Sequence, residues 1–413
     1  MEGMRSPHRS LGLLLVAPPL LLGCGEDEKG PPTYNDAVQP LLARHCVQCH
    51  TDGQIAPFAL DSYDAAAKLA AGIAAAVEER RMPPYPVDNS GECNTFRDAR
   101  WLTDEEIATF VAWSEAGAPA GEARSPEPPA SRPELSGDIV TISTGADYTP
   151  NSAQADDYRC FLAEVPDVED PYYITGFDVH PGEPRVVHHV IVYHPASDDA
   201  AANAKALDDA EEGPGYTCFG ASGVTAGAVA AWAPGGGATF YPDGTGIKLR
   251  KGRPLILQVH YNTLAGEGLS DRTSVDLQVA TGEITVGKFR ALADLTLSLP
   301  PGMENAEAGI TSKVPDSEPP FLLAGLFPHM HTLGKTLRID LERADGSKAC
   351  VADVPRWDFH WQMLYFHETG MTISPGDTLS MSCTYDTRSR STDTHWGEGT
   401  QDEMCIAGLF VVP

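Results

Sequence analysis

The spacing of apolar residues divides the chain into a helical part and a strand-rich part. Residues 34–45 have the length and apolar spacing of a short helix, and residues 61–81 form an alanine-rich helical stretch. Thr103 to Glu106 form a capping box that begins a further helix ending near Glu115. The pattern therefore predicts a small all-α unit at the start of the folded chain.

From residue 137 onwards the apolar residues alternate in short runs that end at Pro-Gly, Asp-Gly or Gly-Glu pairs. The clearest strand predictions are residues 187–193, 254–262, 322–331 and 378–385. Between the two parts, residues 122–136 are rich in proline and small polar residues, which is typical of an extended interdomain linker. We therefore expect a multidomain chain, with an all-α domain followed by turn-rich all-β domains.

The first 24 residues have the pattern of a targeting segment. Arg5 and Arg9 form a positive start, residues 11–22 are apolar but too few to span a bilayer, and Gly23-Cys24 end the segment. Leu21 to Cys24 resemble a bacterial lipoprotein signal, and a plain secretory leader is the alternative. We expect lipidation of Cys24 and an exported lipoprotein of the cell envelope, on the periplasmic face or outer membrane. Its only membrane contact would be the lipid anchor.

The formal net charge of −29 excludes nucleic acid as a partner, because the phosphate backbone would be repelled. Solubility of an exported protein is the simplest explanation of the acidity, and a basic redox partner protein is also compatible with it.

Cys46-Val47-Gln48-Cys49-His50 is a C-x-x-C-H motif, in which two thiols bond a haem and the histidine becomes an axial iron ligand. Zinc or a dithiol redox pair is the alternative, but the sequence has no second C-x-x-C. Met82, on a loop fixed by two prolines, is the candidate sixth ligand; a core methionine is its alternative. Residues 25–121 resemble a small class I cytochrome c with covalent haem c. A haem with both axial positions filled would carry electrons and perform no oxygen chemistry.

Histidines in the strand-rich part have the placement of metal ligands. His188-His189 and His260 lie in apolar strands, and His329 and His331 share one strand face. Imidazole suits copper, zinc, iron or nickel, whereas the thioether of Met404 favours copper. The alternative is that Met404 packs in a core and the histidines are satisfied by hydrogen bonds.

Four motifs in this order carry a family resemblance: Val187-His188-His189, Leu257-Gln258-Val259-His260-Tyr261, His329-Met330-His331-Thr332-Leu333-Gly334-Lys335 and Asp402-Glu403-Met404-Cys405. They are similar to the copper type II, ascorbate-dependent monooxygenases. The resemblance implies two copper ions in two jelly-roll β-sandwich domains, residues 137–284 and 285–413. The ligands it implies for the electron-transferring copper are His188, His189 and His260. Those it implies for the copper that binds O2 and substrate, and so carries the catalysis, are His329, His331 and Met404.

The resemblance also implies disulfides between Cys383 and Cys405 and between Cys160 and Cys218. Cys93 and Cys350 are left over, and they either bridge the two halves of the chain or stay reduced. The remaining histidines of the second half match no ligand position and are assigned to surface or supporting roles: His180, His194, His360, His367 and His395.

The activity implied by the resemblance is hydroxylation of a C–H bond of a small-molecule substrate with O2. Ascorbate or another external donor would supply electrons, and we expect the fused haem to pass them to the copper at His188, His189 and His260. Phe327 and Gly408 stand where the peptidylglycine enzyme has an arginine and a tyrosine, which disfavours C-terminal glycine peptides and favours an apolar or aromatic substrate. Two alternatives remain: a non-catalytic haem and copper electron-transfer lipoprotein, and a binding module with structural histidines.

Overall fold

The structure is a computed structural model of the chain. It describes residues 30–131, 133–154, 156–165, 168–219, 221–234, 237–263, 268–397 and 402–413. The expected targeting segment and Cys24 lie outside the described residues.

Helices dominate the beginning of the described chain, where a π-helical turn at Tyr34–Val38 leads into the first α-helix. The helices are α1 (Gln39–His45), α2 (Tyr63–Lys68), α3 (Ala70–Glu78), α4 (Asp104–Glu115) and α5 (Asp198–Ala210). The capping box of α4 is confirmed, with the Thr103 hydroxyl accepting from the Glu106 N–H and the Glu106 carboxylate accepting from the Thr103 N–H. The stretch predicted as one helix over residues 61–81 is two helices, divided at Leu69.

The helices α1 to α4 enclose a hydrophobic core of their own. Val38, Leu42, Phe110 and Trp113 are almost completely buried in it. Burial of such side chains contributes about 1.5–3 kcal/mol each relative to exposure, which favours independent packing of this helical unit.

The segment between α3 and α4 leaves the helical core and packs on the second β-sandwich. Tyr85, Val87 and Phe96 are buried in the core of that sandwich, and Phe96 stacks on His367 with ring centroids 4.9 Å apart. A disulfide between Cys93 and Cys350 fixes the contact. These two cysteines therefore bridge the two halves of the chain, which resolves the alternative left open by the sequence.

The rest of the described chain is mainly β-structure. Its strands are β1 (Ile139–Ser143), β2 (Asp156–Ala163), β3 (Tyr172–His180), β4 (Val187–Pro195), β5 (Tyr216–Thr217), β6 (Ala226–Trp232), β7 (Thr239–Phe240), β8 (Thr245–Leu249), β9 (Leu255–Asn262), β10 (Ser274–Ala280), β11 (Thr285–Ala293), β12 (Ser298–Leu299), β13 (Ala306–Lys313), β14 (Phe321–His329), β15 (Gly334–Glu342), β16 (Lys348–Val354), β17 (Tyr365–Ile373), β18 (Thr378–Tyr385), β19 (Thr394–His395) and β20 (Ile406–Val412).

One nine-stranded sheet runs through both sandwiches, in the order β1-β10-β3-β8-β11-β20-β14-β17 with β7 beside β3. A five-stranded sheet, β5-β2-β9-β4-β6, completes the first sandwich, and a four-stranded sheet, β13-β18-β15-β16, completes the second. The two halves of the long sheet join where β8 and β11 pair in parallel, with Thr245 opposite Thr285. Strands β12 and β19 form a small separate pair.

The central strand β9 is buried on both faces, which explains its unbroken apolar run. Leu255 and Leu257 face the core of the first sandwich. Ile256 packs on the other side in a smaller cluster with Ala204 of α5 and the disulfide between Cys160 and Cys218.

A third disulfide joins Cys383 of β18 to Cys405, directly before β20. Both disulfides implied by the resemblance are thus present. Within the part of the chain that the structure describes, no helix combines the length and the apolar character that a bilayer crossing requires.

Candidate metal centres

The first candidate centre is built by a β-bulge between neighbouring strands of the five-stranded sheet. Val187 of β4 pairs with Tyr261 of β9, and His189 pairs with His260, so that His188 is the extra residue of the bulge. Side chains that follow one another in a regular strand point to opposite faces, but a bulge changes this alternation. It brings His188, His189 and His260 together, with one donor atom of each within 4.8 Å of the others.

Hydrogen bonds select the ring nitrogens of this cluster that can bind a metal. The Nε2 of His260 lies 2.9 Å from the carboxylate of Asp156, which fixes Nε2–H as the donor and turns Nδ1 towards the cluster. That Nδ1 lies 3.2 Å from the Nδ1 of His189. The buried Nδ1 of His188 has no hydrogen-bond partner among the described residues. A metal ion would satisfy these nitrogens.

Burial keeps the first cluster neutral, as metal ligation requires. It is the main reason why the pKa values of His188 and His189 lie well below the usual histidine range. The hydrogen bond from His260 is the main cause of the lowered pKa of Asp156. The ring of Tyr158 stacks on His260 with centroids 4.2 Å apart, which further restricts the orientation of His260.

The second candidate centre lies where strands of the second sandwich end. His329 is the last residue of β14 and pairs with Ile406 of β20, so Met404 comes just before the neighbouring strand. The rings of His329 and His331 are 5.2 Å apart, and both are buried, as is Met404. The strand predicted for residues 322–331 ends at His329. His331 therefore lies two residues past the end of the strand and does not share a strand face with His329.

The Nδ1 atoms of the second centre point away from it. Gln362 accepts a hydrogen bond from the Nδ1 of His329 at 2.8 Å, and the Asp402 carbonyl accepts one from the Nδ1 of His331 at 3.0 Å. This leaves Nε2 as the ligating atom of each ring. Burial, followed by the nearby His331, lowers the pKa of His329 to about 3.

Glu403 joins the two segments of the second centre. Its completely buried carboxylate accepts hydrogen bonds from the backbone N–H groups of His331 at 2.8 Å, Leu333 at 2.6 Å and Met404 at 3.2 Å. Burial raises the pKa of Glu403 to about 7, against the opposing effect of these donors. Glu403 lies in one of the four sequence motifs, but no role was predicted for it.

A cavity of about 730 Å³ between the sandwiches lies beside both centres, because its lining includes Asp156, which bonds His260, and Trp357, whose indole N–H donates to the His331 carbonyl. Its lining includes the aromatic residues Tyr158, Phe219, Trp357 and Phe359 and the acidic residues Asp156, Asp157 and Asp358. Burial is the main cause of the lowered pKa of His189, and His260, His188 and then His329 of the second centre add to it. Aromatic rings also connect them, since Phe219 lies 4.6 Å from Tyr158 and 6.3 Å from His331.

Phe327, singled out for substrate selectivity, lies on β14 with its ring 6.4 Å from that of His329. It pairs with Gly408 on β20, and a Cβ atom added at Gly408 would meet the Phe327 Cβ at 3.8 Å. The remaining histidines of the second half include His360, whose ring lies 4.9 Å from His188. His360 was predicted to have a surface or supporting role, and its position beside His188 was not expected.

The C-x-x-C-H motif lies in the helical unit, just after α1. Cys46 and Cys49 are outside the three disulfides, and burial raises the pKa of Cys46 to about 12. The Nδ1 of His50 donates to the Phe58 carbonyl at 3.2 Å, which leaves Nε2 for a metal. Met82 is 37% exposed and lines a small cavity with Val77 and Tyr85.

Known sequence families match both sandwiches. Residues 144–267 match the family described as copper type II ascorbate-dependent monooxygenase, N-terminal domain. Residues 297–411 match the C-terminal domain of the same family.

Individual relatives agree with this match. Tyramine beta-hydroxylase of Caenorhabditis briggsae is 25% identical over 341 residues, which cover 77% of this chain and 54% of the relative. DBH-like monooxygenase protein 1 of Mus musculus is 27% identical over a region that covers 62% of this chain and 44% of the relative. Dopamine beta-hydroxylase of Homo sapiens is 26% identical over a region that covers 68% of this chain and 47% of the relative. The chain thus spans about half the length of these relatives. Through the two matched domains, which together make up more than half of its residues, the chain belongs to the copper type II ascorbate-dependent monooxygenase family.

Proposed function

We propose that the protein is a copper-dependent monooxygenase that hydroxylates a C–H bond of a small molecule. One oxygen atom of O2 becomes the product hydroxyl group, and the other leaves as water after uptake of two electrons and two protons. The observation that carries the proposal is the pair of histidine centres, each with the donor types that the family uses, beside one cavity that is lined by residues bonded to both.

The residues of the two centres fit copper. His188, His189 and His260 would hold one ion through imidazole nitrogens, and His329, His331 and the soft thioether of Met404 would hold the other. Bound copper supplies the one-electron chemistry that O2 activation needs. The protein contributes buried, oriented ligands: Asp156 fixes the His260 ring, Gln362 fixes the His329 ring, and Glu403 holds the backbone of His331 next to that of Met404.

We propose a small aromatic substrate that carries a cationic amine. Aromatic rings and carboxylates line the cavity beside the centres, and such a surface suits a ring with a positive charge. Two relatives are named for tyramine and dopamine hydroxylation. Phe327 and Gly408 lack the polar groups that would hold a peptide carboxylate. A panel of aromatic amines, their uncharged analogues and glycine-extended peptides would test this, since turnover of the peptides alone would contradict it.

We further propose that the helical unit is a cytochrome c-like domain with a covalent haem, which supplies electrons one at a time. The thiols of Cys46 and Cys49 and the Nε2 of His50 are compatible with this role, with Met82 as the proposed sixth ligand. A cavity of about 410 Å³ is lined by Arg44 and Gln48 near the motif and by Met363 of the second sandwich.

Electron delivery to the first centre is supported by the segment that directly precedes Met363. Two residues away, Trp361 lies 5.6 Å from the ring of His188. Stopped-flow mixing of prereduced haem protein with and without Cu(II) tests this step. Reoxidation of the haem only in the copper-loaded sample is expected, and a haem that stays reduced would exclude direct delivery. In the proposed cycle, ascorbate or a redox partner protein reduces the haem again after it has passed its electron to copper.

An exported, lipid-anchored location at the cell envelope completes the proposal. The lipoprotein-like sequence ending at Cys24 supports it, and three disulfides are typical of an oxidising compartment. Mass spectrometry of the mature N-terminus should find a diacylglyceryl group on Cys24, and its absence from the wild-type protein would contradict the anchor.

The decisive experiment measures metal content and O2 consumption of the haem-loaded protein after copper reconstitution. Two coppers per haem and reductant-dependent O2 consumption are expected, and O2 consumption should be lost in Met404→Ala and His329→Ala. No copper above background would refute the proposal. Copper binding without O2 consumption by any reductant would instead support an electron-transfer protein.

A further inference from the structure

We infer that His360 provides a fourth imidazole to the cluster of His188, His189 and His260, so that both sandwiches hold the first copper. This inference rests on the proposed copper site. Three of the ligands come from the five-stranded sheet of the first sandwich, whereas His360 comes from the loop between β16 and β17 of the second.

Ring spacing places His360 beside two of the three histidines, His188 and His260. Imidazoles that bind one ion through nitrogens about 2 Å away have ring centroids no more than about 6.5 Å apart. The His188 and His189 rings are 6.0 Å apart, and those of His189 and His260 are 4.6 Å apart. The ring of His360 lies 4.9 Å from His188 and 6.3 Å from His260, within the same range.

The Nδ1 of His360 is in the condition expected of a ligand atom. It is buried and has no hydrogen-bond partner among the described residues, as is also true of the Nδ1 of His188. Buried polar atoms are normally paired, and those left over need an explanation such as a missing ion. The donor atoms of the three-histidine cluster lie within 4.8 Å of one another without His360, so metal binding would draw this ring inward.

The loop that carries His360 is held against both centres. The His360 N–H donates to the Asp358 carboxylate at 3.0 Å, and Trp361 packs against His188. Two residues after His360, Gln362 accepts the hydrogen bond from His329 of the second centre. A fourth nitrogen ligand also suits the tetragonal geometry that Cu(II) prefers. Copper binding at the first centre would therefore order the loop that positions a ligand of the second.

Pulsed EPR at the Cu(II) signal can count the imidazoles directly. The full-length haem protein with His331→Ala serves as the background, so that one copper remains per chain. We expect four imidazoles in this background and three after adding His360→Ala, with copper affinity at least about tenfold weaker. His395→Ala is the matched control because His395 is an exposed histidine of the same sandwich, and it should leave four.

Three outcomes overturn the inference, and they are distinguishable. Three imidazoles with and without His360 would refute the fourth ligand while leaving the copper site itself intact. Absence of copper from the background variant would refute the proposed copper function as well. Addition of free imidazole to His360→Gly should restore the four-imidazole signal. Failure of this rescue in a variant with an unchanged unfolding temperature would assign His360 a purely packing role.

Discussion

The two histidine centres are built in different ways on neighbouring β-sandwiches. The first lies inside a sheet, where a bulge at His188 gathers three imidazoles and the outer partner is the partly exposed Asp156. The second lies at the ends of strands, where the buried Glu403 joins two separate segments through backbone N–H groups. The strand register fixes the first centre, whereas one buried carboxylate holds the second together. The second centre should therefore be the more sensitive to single substitutions outside its ligands.

Removal of the Met404 thioether should separate the two centres most strongly, since it should abolish activity but leave copper at the first centre. Met404→Ala should lower substrate hydroxylation by more than about a hundredfold, above the range typical of residues that only support ligands. Copper should remain at the first centre, because its ligands come from other strands. Oxygen-electrode rates and copper per chain measure both effects. Met303→Ala, an exposed methionine of the same sandwich, is the control, and retained hydroxylation in Met404→Ala would remove Met404 from the site.

Glu403→Gln should have the next largest effect. The amide keeps one acceptor oxygen but directs an NH2 group at backbone donors, so we expect about 1–3 kcal/mol of lost unfolding free energy. Copper affinity of the second centre should fall by about 10–100-fold. Denaturant unfolding and chelator competition measure these changes. The exposed Glu307→Gln on β13 is the control. Equal behaviour of the two variants would show that Glu403 does not organise the centre.

Asp156→Asn should act mainly on the first centre, and with a smaller effect than Glu403→Gln has on the second. The Asp156 side chain is 40% exposed, so water can replace part of its hydrogen bond to His260. We expect about a tenfold loss of copper affinity there, at the low end for residues that orient metal ligands. Chelator titration against Asp147→Asn, an exposed carboxylate, tests this. An equal loss at both centres would contradict the separation between them.

The smallest effect on activity is expected from the disulfides. Their removal should lower unfolding free energy by about 3 kcal/mol for Cys383 and Cys405 and by about 4 kcal/mol for Cys160 and Cys218, because the second closes the longer loop. The separations are 22 and 58 residues. Paired Cys→Ser variants followed by urea unfolding give the two values. A larger loss of unfolding free energy for Cys383 and Cys405 than for Cys160 and Cys218 would show that loop length does not determine the contribution of these disulfides to stability.

Several features of these centres were predictable from the sequence because they are local. The sequence itself shows which histidines are close neighbours, namely His188 with His189 and His329 with His331. It also shows the order of the four motifs. The structure brings each of these pairs into one cluster. The capping box at Thr103 is equally local and is confirmed.

What the sequence did not reveal depends on contacts between distant segments. His360 comes close to His188 only because two sandwiches face each other, and no spacing rule encodes that distance. Glu403 was visible in a motif, but its burial and its three backbone donors arise from the fold. Cys93 and Cys350 are 257 residues apart, so counting cysteines could not decide whether they pair.

The parallel pairing of β8 with β11 has a consequence for any attempt to divide the molecule. A fragment that ends before β11 would expose the edge of β8, and a fragment that begins at β11 would expose the opposite edge. Unpaired strand edges recruit other strands and promote aggregation. The boundary between the sandwiches is thus a poor place for a truncation or an inserted tag. Loops such as residues 343–347, at the β15–β16 turn, are safer positions.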